Sequence, residues 1–149
     1  MNKLRIVVAS DHVGYEMKKE LQKYMTELRH NVEDIGCHST DRTEYPIFGR
    51  EAAEKLARGE YDRAVLVCGT GFGISLAANT VKNVRCVNCT DIYTAKLSRL
   101  HNNSNAIALG ARVIAVDFAK MLLDTWLATE FEGGRHADRV NMLTEMVNM

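Results

Sequence analysis

A cysteine followed by alternating glycines is the stretch of this sequence best suited to chemistry. Cys68 ends an apolar run that begins at Ala64, and Gly69, Gly71 and Gly73 follow it. Glycines allow several backbone N–H groups to converge on one point, and a helix start adds partial positive charge. Such a turn binds an anion and stabilises a neighbouring thiolate. The stretch therefore predicts an anion site beside a possible base, as an enzyme for a small phosphorylated substrate requires.

Alternating strands and helices must position this turn. Short runs of apolar and β-branched residues predict five strands, at 4–9, 32–35, 63–68, 84–89 and 106–109. Apolar residues at helical spacing predict helices at 13–28, 46–58, 74–81, 91–100, 116–129 and about 136–148. This alternation, with short connections, predicts a three-layer α/β/α, Rossmann-like fold with a five-stranded parallel sheet.

Ligands of open parallel sheets bind beyond the carboxyl ends of the strands, where the strand order reverses. The candidate site residues are therefore those that follow the predicted strands: Asp11-His12, Gly36-Cys37, Cys68 to Gly73, Thr90-Asp91 and Gly110 to Arg112. His101-Asn102 instead precedes the fifth strand, which places it at the opposite edge of the sheet. Only a neighbouring subunit or an unusual turn could bring it to the same site.

Composition excludes several classes of protein. The 149 residues suit a single domain, 1–149, and 19 basic and 19 acidic side chains cancel. The balance gives no field that favours nucleic acid or a membrane surface. Without an apolar run of ~18 residues or a signal-peptide pattern near the first residue, a cytoplasmic protein is the expectation. Four cysteines in a chain of this length do not indicate a disulfide framework.

The sequence shows no clear pattern of metal ligands. Cys86 and Cys89 match C-x-x-C, but they fall on a predicted strand, where residues three apart face opposite sides. The five histidines show no H-E-x-x-H or similar spacing. We expect an ordinary buried strand here and no metal.

Nucleotide binding is the main alternative for the glycine turn. A dinucleotide fingerprint, G-x-G-x-x-G, would need its third glycine at Ile74, although Asp91 does end the next strand. The P-loop pattern is absent, and a receiver domain would need an aspartate in place of Cys68. Small-molecule chemistry is therefore favoured, with a non-enzymatic nucleotide-sensing α/β module as the alternative.

Single residues also have ordinary interpretations. Cys68 could be a core cysteine, and a solvated face is the usual meaning of Arg135 and Arg139, which are four apart on one helix. The functional alternative is that these two arginines bind a phosphate group together. Arg112, directly after a strand, is the better single phosphate ligand.

Taken together, these segments resemble a known family over nearly the whole chain. They are Ser10 to Gly14, Arg42 to Pro46, Cys68 to Ser75, Ala78-Asn79, His101-Asn102, Gly110 to Arg112 and Glu132 to His136. Their joint order and spacing is similar to that of the ribose-5-phosphate isomerase B group of sugar-phosphate isomerases.

This resemblance implies an aldose–ketose isomerase of the non-oxidative pentose phosphate pathway. It would interconvert ribose 5-phosphate and ribulose 5-phosphate through an enediolate, without metal or cofactor. Family matching assigns the proton-carrying base to Cys68 and furanose ring opening to His101. The remaining roles that it implies are substrate contacts. The enediolate would be held by the backbone N–H groups of Gly69, Thr70, Gly71, Phe72 and Gly73. The sugar or phosphate would be contacted by Asp11, His12 and Asn102, and the phosphate would be bound by Arg112, Arg135 and Arg139.

Departures from the family pattern bear on the base and on the substrate. One branch uses a glutamate directly after the last glycine as its base, but Ile74 stands there, which leaves Cys68. Phe72 is bulkier than the expected small residue, and Asn103 replaces a frequent aspartate. Allose 6-phosphate and galactose 6-phosphate, substrates of relatives, are the alternatives. The extra methionines of the last helix favour either a partner subunit or a face where methionine is tolerated in solvent. The resemblance implies a homodimer or a dimer of dimers with shared sites, which would place this helix in the interface.

Overall fold

Strands and helices alternate along the part of the chain that the computed structural model describes, residues 2–147. The strands are Arg5–Ser10 (β1), Asn31–Asp34 (β2), Arg63–Cys68 (β3), Cys86–Asn88 (β4) and Ala106–Gly110 (β5). The helices are Tyr15–Glu27 (α1), Tyr45–Ala57 (α2), Phe72–Ala78 (α3), Ile92–Asn102 (α4), Val116–Ala128 (α5) and Arg135–Met146 (α6).

All five strands are parallel, in the order β2-β1-β3-β5-β4. Ser10 pairs with Val67, and Cys68 pairs with Gly110, so the carboxyl ends of β1, β3 and β5 lie side by side. The order along the chain reverses between β1 and β3. The crevice beyond these two strand ends is therefore where a ligand is expected.

Two apolar cores sandwich the sheet. Alternate residues of β3 face opposite sides: Val65 and Val67 lie in one core, and Leu66 and Cys68 lie in the other. Helices α1, α4 and α5 cover the first core, and helices α2 and α3 cover the second. The predicted three-layer α/β/α fold is confirmed. Within residues 2–147, no helix is long and apolar enough to cross a membrane.

Element ends differ from the predictions where a turn or a cap decides them. Helix α3 begins at Phe72 rather than at residue 74, because Gly71 takes the N-cap position with φ 85° and ψ −18°. Helix α4 begins after Asp91, whose Oδ1 accepts a hydrogen bond from the Thr94 N–H at 2.7 Å. Strand β4, at the sheet edge, is only three residues long.

The last helix is less buried than its apolar pattern predicts. Val140 is 6% exposed, as expected of a core residue, but Leu143 is 47% exposed. The spacing of Val140, Leu143 and Val147 predicts a core stripe on this helix. That prediction is wrong for Leu143, since α6 packs on α4 through its first turns and presents a second apolar face outward. Val147, also predicted to be core, follows the end of the helix. The predicted end at 148 and Met149 lie outside the described residues.

Candidate active site

The Cys68 thiol is held inside the glycine turn by a backbone donor. Cys68 ends β3 and is only 4% exposed, and its Sγ accepts a hydrogen bond from the Gly71 N–H at 3.2 Å. This hydrogen bond holds the sulfur against the backbone of the turn. The structure thus places the predicted base at the centre of the predicted anion site.

Three of the backbone donors in this turn are free for a ligand. The N–H groups of Gly69, Thr70 and Gly73 find no acceptor among residues 2–147. Gly71 donates to Cys68, and Phe72 donates to the Thr70 Oγ1 at 3.2 Å. The expectation that all five N–H groups from 69 to 73 face a ligand is therefore too broad, because two of them stabilise the turn itself.

Neighbouring elements leave room only for glycine at two positions of the turn. A Cβ on Gly71 would lie 2.8 Å from the Asn88 Oδ1 and 3.0 Å from the Leu109 carbonyl carbon. A Cβ on Gly73 would lie 2.5 Å from the ring of Tyr45, at the start of α2. The turn is thus clamped from both sides, which fixes the direction of its free N–H groups.

The end of β1 adds two polar side chains beside the turn. The Asp11 N–H donates to the Val67 carbonyl at 3.3 Å, and its Oδ1 accepts from the Gly14 N–H at 3.0 Å. The His12 N–H donates to the Thr43 Oγ1 at 3.1 Å, and the His12 Nδ1 accepts from the Thr43 N–H at 3.2 Å. A neutral His12 ring must therefore carry its proton on Nε2, which makes that atom a donor toward a ligand.

Arg112 reaches the same edge from β5. Its N–H donates to the Gly69 carbonyl at 3.0 Å, and a Cβ on Gly69 would lie 3.6 Å from its Nη1. The guanidinium is exposed, so a phosphate or sugar oxygen can approach it. The carboxyl edge thus combines a thiol, free N–H groups and a cation.

The other predicted site residues lie at the opposite edge of the sheet. Helix α4 runs back from the carboxyl end of β4 and carries His101 and Asn102 in its last turn. Eleven helical residues span about 16 Å. Cys68 and His101 of one chain therefore cannot act on the same carbon atoms, as the sequence indicated.

A histidine pair organises this second edge. The rings of His101 and His136 stack with centroids 4.4 Å apart and planes at 16°. Burial lowers the pKa of His136, and the nearby His101, Arg135 and Arg139 lower it further. Both arginines are exposed in the first turns of α6. Their charges make this edge attractive to an anion.

A buried arginine fixes the loop that follows His101. Arg99 is 3% exposed, and its guanidinium donates to the carbonyls of Ser104 at 2.6 Å and Thr129 at 2.9 Å. Burial, with lesser effects of Arg63 and other charges, lowers the pKa of Arg99 to about 10. The Trp126 Nε1–H donates to the Ser104 Oγ at 2.9 Å. These bonds set where α4 ends and thus where His101 stands.

The other cysteines lack such surroundings. All four are free and buried. Burial raises the pKa of Cys86 to about 12 and also raises that of Cys89. Cys86 and Cys89 lie in different cores, on opposite faces of the sheet, as predicted, although β4 ends at Asn88 and Cys89 follows it.

Several site residues escaped the sequence argument. His136 was part of a matched segment but carried no assigned role, and only its position after Arg135 could have pointed to it. Thr43 and Tyr45 also lie in a matched segment without an assigned role: Thr43 holds His12, and Tyr45 clamps the glycine turn together with Asn88 of β4. These contacts join residues far apart in sequence, so no local pattern predicts the contacts themselves.

The carboxyl edge can move a proton beside a carbonyl and hold the oxygen anion that results. A thiolate is a suitable base, and preorganised N–H donors stabilise charge that develops on oxygen. Fold and site together define an α/β enzyme suited to enediolate chemistry on an anionic substrate.

Known proteins agree with that class. A family model described as Ribose/Galactose Isomerase matches residues 6–143. Ribose-5-phosphate isomerase B of Escherichia coli is 44% identical over 94% of each chain. D-erythrulose-4-phosphate isomerase 2 of Mycolicibacterium smegmatis is 42% identical over 87% of each chain. Ribose-5-phosphate isomerase B of Mycoplasma genitalium, solved with bound ribulose 5-phosphate, superposes with a TM-score of 0.90 at 34% identity, over 95% of this chain and 94% of that one. The chain belongs to the ribose/galactose isomerase family and is a sugar-phosphate isomerase.

Proposed function

We propose that the chain interconverts D-ribose 5-phosphate and D-ribulose 5-phosphate, with Cys68 as the base that carries a proton between C2 and C1. The observation that carries this proposal is the thiol itself. It accepts a backbone N–H at 3.2 Å beside three backbone N–H groups that lack an acceptor in the described chain. Ile74, which is fully buried, stands at the position of the alternative glutamate base, and its aliphatic side chain cannot accept a proton.

The free N–H groups of the turn hold the enediolate oxygens in this mechanism. As Cys68 removes the C2 proton, charge moves onto the carbonyl oxygen, where N–H donors are worth most. The C2 hydroxyl proton passes to O1, and the protonated thiol returns its own proton to C1, so that C2 becomes the carbonyl of ribulose 5-phosphate. The His12 Nε2–H and the exposed Arg112 guanidinium contact sugar or phosphate oxygens around this centre. Asp11, which also orders the loop before α1 by accepting the Gly14 N–H, contacts the sugar.

His101 opens the furanose ring before the proton moves. Ribose 5-phosphate exists mainly as a ring, and opening it requires proton transfer to the ring oxygen and from the C1 hydroxyl. Asn102 contacts the sugar beside it, and Arg135 and Arg139 hold the phosphate. The cationic first turns of α6 support this division, since phosphate is the most highly charged group of the substrate.

The separation of the two edges supports a shared site. About 16 Å of α4 lies between them in one chain. We therefore propose a homodimer in which Cys68 of one subunit and His101 of the other meet the same substrate. Helix α6 would contribute to the interface, because Met142, Leu143 and Met146 are 56%, 47% and 54% exposed. In this proposal residues 1–149 form one isomerase domain.

Mixed dimers test the sharing directly. Cys68→Ala and His101→Ala chains, each inactive alone, are unfolded and refolded together. Random pairing then leaves one intact site in each mixed dimer, so we expect partial recovery of ribose 5-phosphate turnover. The control mixes the Cys68→Ala chain with a chain that carries both Cys68→Ala and Arg135→Ala. No dimer in this mixture has an intact Cys68, so we expect no recovery of turnover. No recovery in the first mixture, with dimers formed, contradicts the shared site.

A substrate panel tests the sugar. We expect kcat/KM to be higher for ribose 5-phosphate than for allose 6-phosphate and galactose 6-phosphate, because the paired Cys68 and His101 resemble the pentose enzymes. D-erythrulose 4-phosphate belongs in the panel, since a relative 42% identical is named for it. A higher kcat/KM for any of these three sugars would overturn the assignment to ribose 5-phosphate.

A reducing compartment suits this mechanism. Cys68 must stay a free thiol to act as a base, and all four cysteines of the chain are free. We therefore place the reaction in the cytoplasm. Expression in an oxidising compartment should lower turnover reversibly, and restoration by a thiol reductant is the measurement.

A further inference from the structure

Three potential metal ligands meet at the amino edge of the sheet. One ring nitrogen each from His101 and His136 and a carboxylate oxygen of Glu132 lie within 4.8 Å of one another. The His136 side chain is 6% exposed, and its Nε2 has no hydrogen-bond partner in the described chain. A buried nitrogen without a partner is rare in folded proteins and invites a ligand.

The donor set is that of a zinc-type ion. Two imidazoles and one carboxylate, with a fourth position open, form a common zinc site, at bond lengths of about 2.0–2.2 Å. Such bonds require ligand atoms roughly 3.3 Å apart, and the two stacked rings must turn out of their parallel arrangement so that one lone pair of each points at the ion. Glu132 is exposed and lies outside any helix, so its carboxylate can approach the ion. Imidazole favours Zn²⁺, Cu²⁺ or Ni²⁺ over Mg²⁺ or Ca²⁺.

We propose that His101, Glu132 and His136 bind Zn²⁺ reversibly and that the bound ion inhibits the isomerase. The inhibition rests on the proposed function, in which His101 moves protons during ring opening. An imidazole nitrogen that binds a metal has no free lone pair for that task. Arg135 and Arg139 lie close to His136 and repel a dication, so the ion is a reversible occupant rather than a permanent one.

The inhibition has a distinctive direction. Ribulose 5-phosphate cannot form a five-membered ring, because its O5 carries the phosphate, so it needs no ring opening. Ribose 5-phosphate does need it. Zn²⁺ bound at this cluster should therefore lower the initial rate at saturating ribose 5-phosphate at least tenfold more than the rate at saturating ribulose 5-phosphate.

Binding is measured apart from activity. Chelator-treated protein is titrated with Co²⁺, whose visible absorption reports tetrahedral nitrogen and oxygen ligands, and Zn²⁺ is then used to displace it. Glu132→Gln, a change of an exposed side chain, should weaken the affinity ten- to hundredfold or more, since even indirect ligand changes cost about that much. Turnover of ribose 5-phosphate without metal should stay unchanged in this variant. His136→Asn, checked for folding by circular dichroism, should weaken binding as well.

Two controls distinguish this cluster from other metal ligands. His38→Gln removes an exposed histidine at the other edge and should keep the Co²⁺ spectrum. Cys68→Ala should keep it too, although that variant is inactive. Loss of the spectrum in Cys68→Ala, or an unchanged affinity in Glu132→Gln, would overturn the proposal.

The two proposals fail in different ways. Co²⁺ bound through Glu132 in a protein that does not isomerise ribose 5-phosphate would support the metal site and reject the proposed function. Normal turnover in a protein that binds no Co²⁺ would reject the metal site alone. Equal Zn²⁺ inhibition from both substrates would reject the assigned cause of inhibition.

Discussion

The two edges of the sheet hold polar groups by different means. At the carboxyl edge the donors are backbone N–H groups of one turn, fixed by Gly71 and by the packing of Tyr45 against Gly73. At the amino edge the groups are side chains on α4 and α6, which the buried Arg99 helps to place. One edge is built by local chain geometry and the other by contacts between distant elements.

This difference separates two kinds of sensitivity. Side-chain changes in the turn alter its donors little, because the N–H groups belong to the backbone, but changes of backbone conformation should be severe. The amino edge should show the reverse, since His101 and its neighbours act through their side chains. The predictions below test that contrast.

The largest effect should follow Cys68→Ala. Removal of the base should lower kcat by about 10⁴-fold, while the free N–H groups still bind the substrate. Steady-state kinetics and calorimetric binding of ribose 5-phosphate measure the two quantities. Cys37→Ala, another buried cysteine after a strand, should keep kcat within a few-fold. Near-normal turnover by Cys68→Ala would falsify the assignment of the base.

Gly71→Ala should come next. The φ of 85° and the contacts at 2.8 and 3.0 Å force the turn to move, so we expect kcat/KM to fall about 10²–10³-fold, as when an oxyanion donor is lost. Gly59→Ala is the matched control, because φ is 81° there but nothing lies within 4 Å. Both variants should lose about 1–2 kcal/mol of folding stability, because alanine is strained at a left-handed φ. Only Gly71→Ala should also lose activity. Equal kinetics in the two variants would contradict a backbone-built site.

His101→Asn should have a smaller effect that depends on direction. Loss of an acid–base group should lower kcat for ribose 5-phosphate about 10²-fold and that for ribulose 5-phosphate much less, because the ring form of ribose 5-phosphate then binds unproductively. Initial rates from each substrate measure the ratio. The thermal midpoint should change little, because His101 is only half-buried. Equal losses in both directions would show that His101 acts on the proton transfer rather than on the ring.

The smallest effect concerns pH and lies outside both edges of the site. Burial lowers the pKa of His30, whose Nδ1 accepts from the Leu4 N–H at 3.1 Å. Below pH 6.5 the unfolded chain binds a proton that the folded chain resists, so stability falls with pH, by up to about 1.4 kcal/mol per pH unit. Urea unfolding between pH 7.5 and 5 measures the slope. His30→Asn should flatten it, and an unchanged slope would assign the acid sensitivity to another group.

The sequence predicts the fold and the carboxyl edge well. The alternation of apolar runs is a local signal, and it identified the five strands and six helices found within residues 2–147. The glycines after Cys68 are equally local, so the turn and its donors could be anticipated. The chain direction of α4 follows from the same alternation, which is why His101 was expected at the far edge.

Long-range contacts account for what the sequence did not predict. The start of α3 depends on the left-handed Gly71, and the exposure of Leu143 depends on how α6 meets α4. The stacking of His136 on His101 joins residues 35 positions apart. None of these follows from periodicity, because each is decided by the packing of separate elements.

The hydrogen bond between Trp126 and Ser104 makes the chain's single tryptophan an optical reporter of one edge. Its indole is fully buried and tied to the loop that follows His101. Emission should therefore respond when a ligand displaces that loop and stay constant when a ligand touches only the Cys68 turn. Stopped-flow fluorescence with substrate could thus time the arrival of the sugar at the amino edge without any added label.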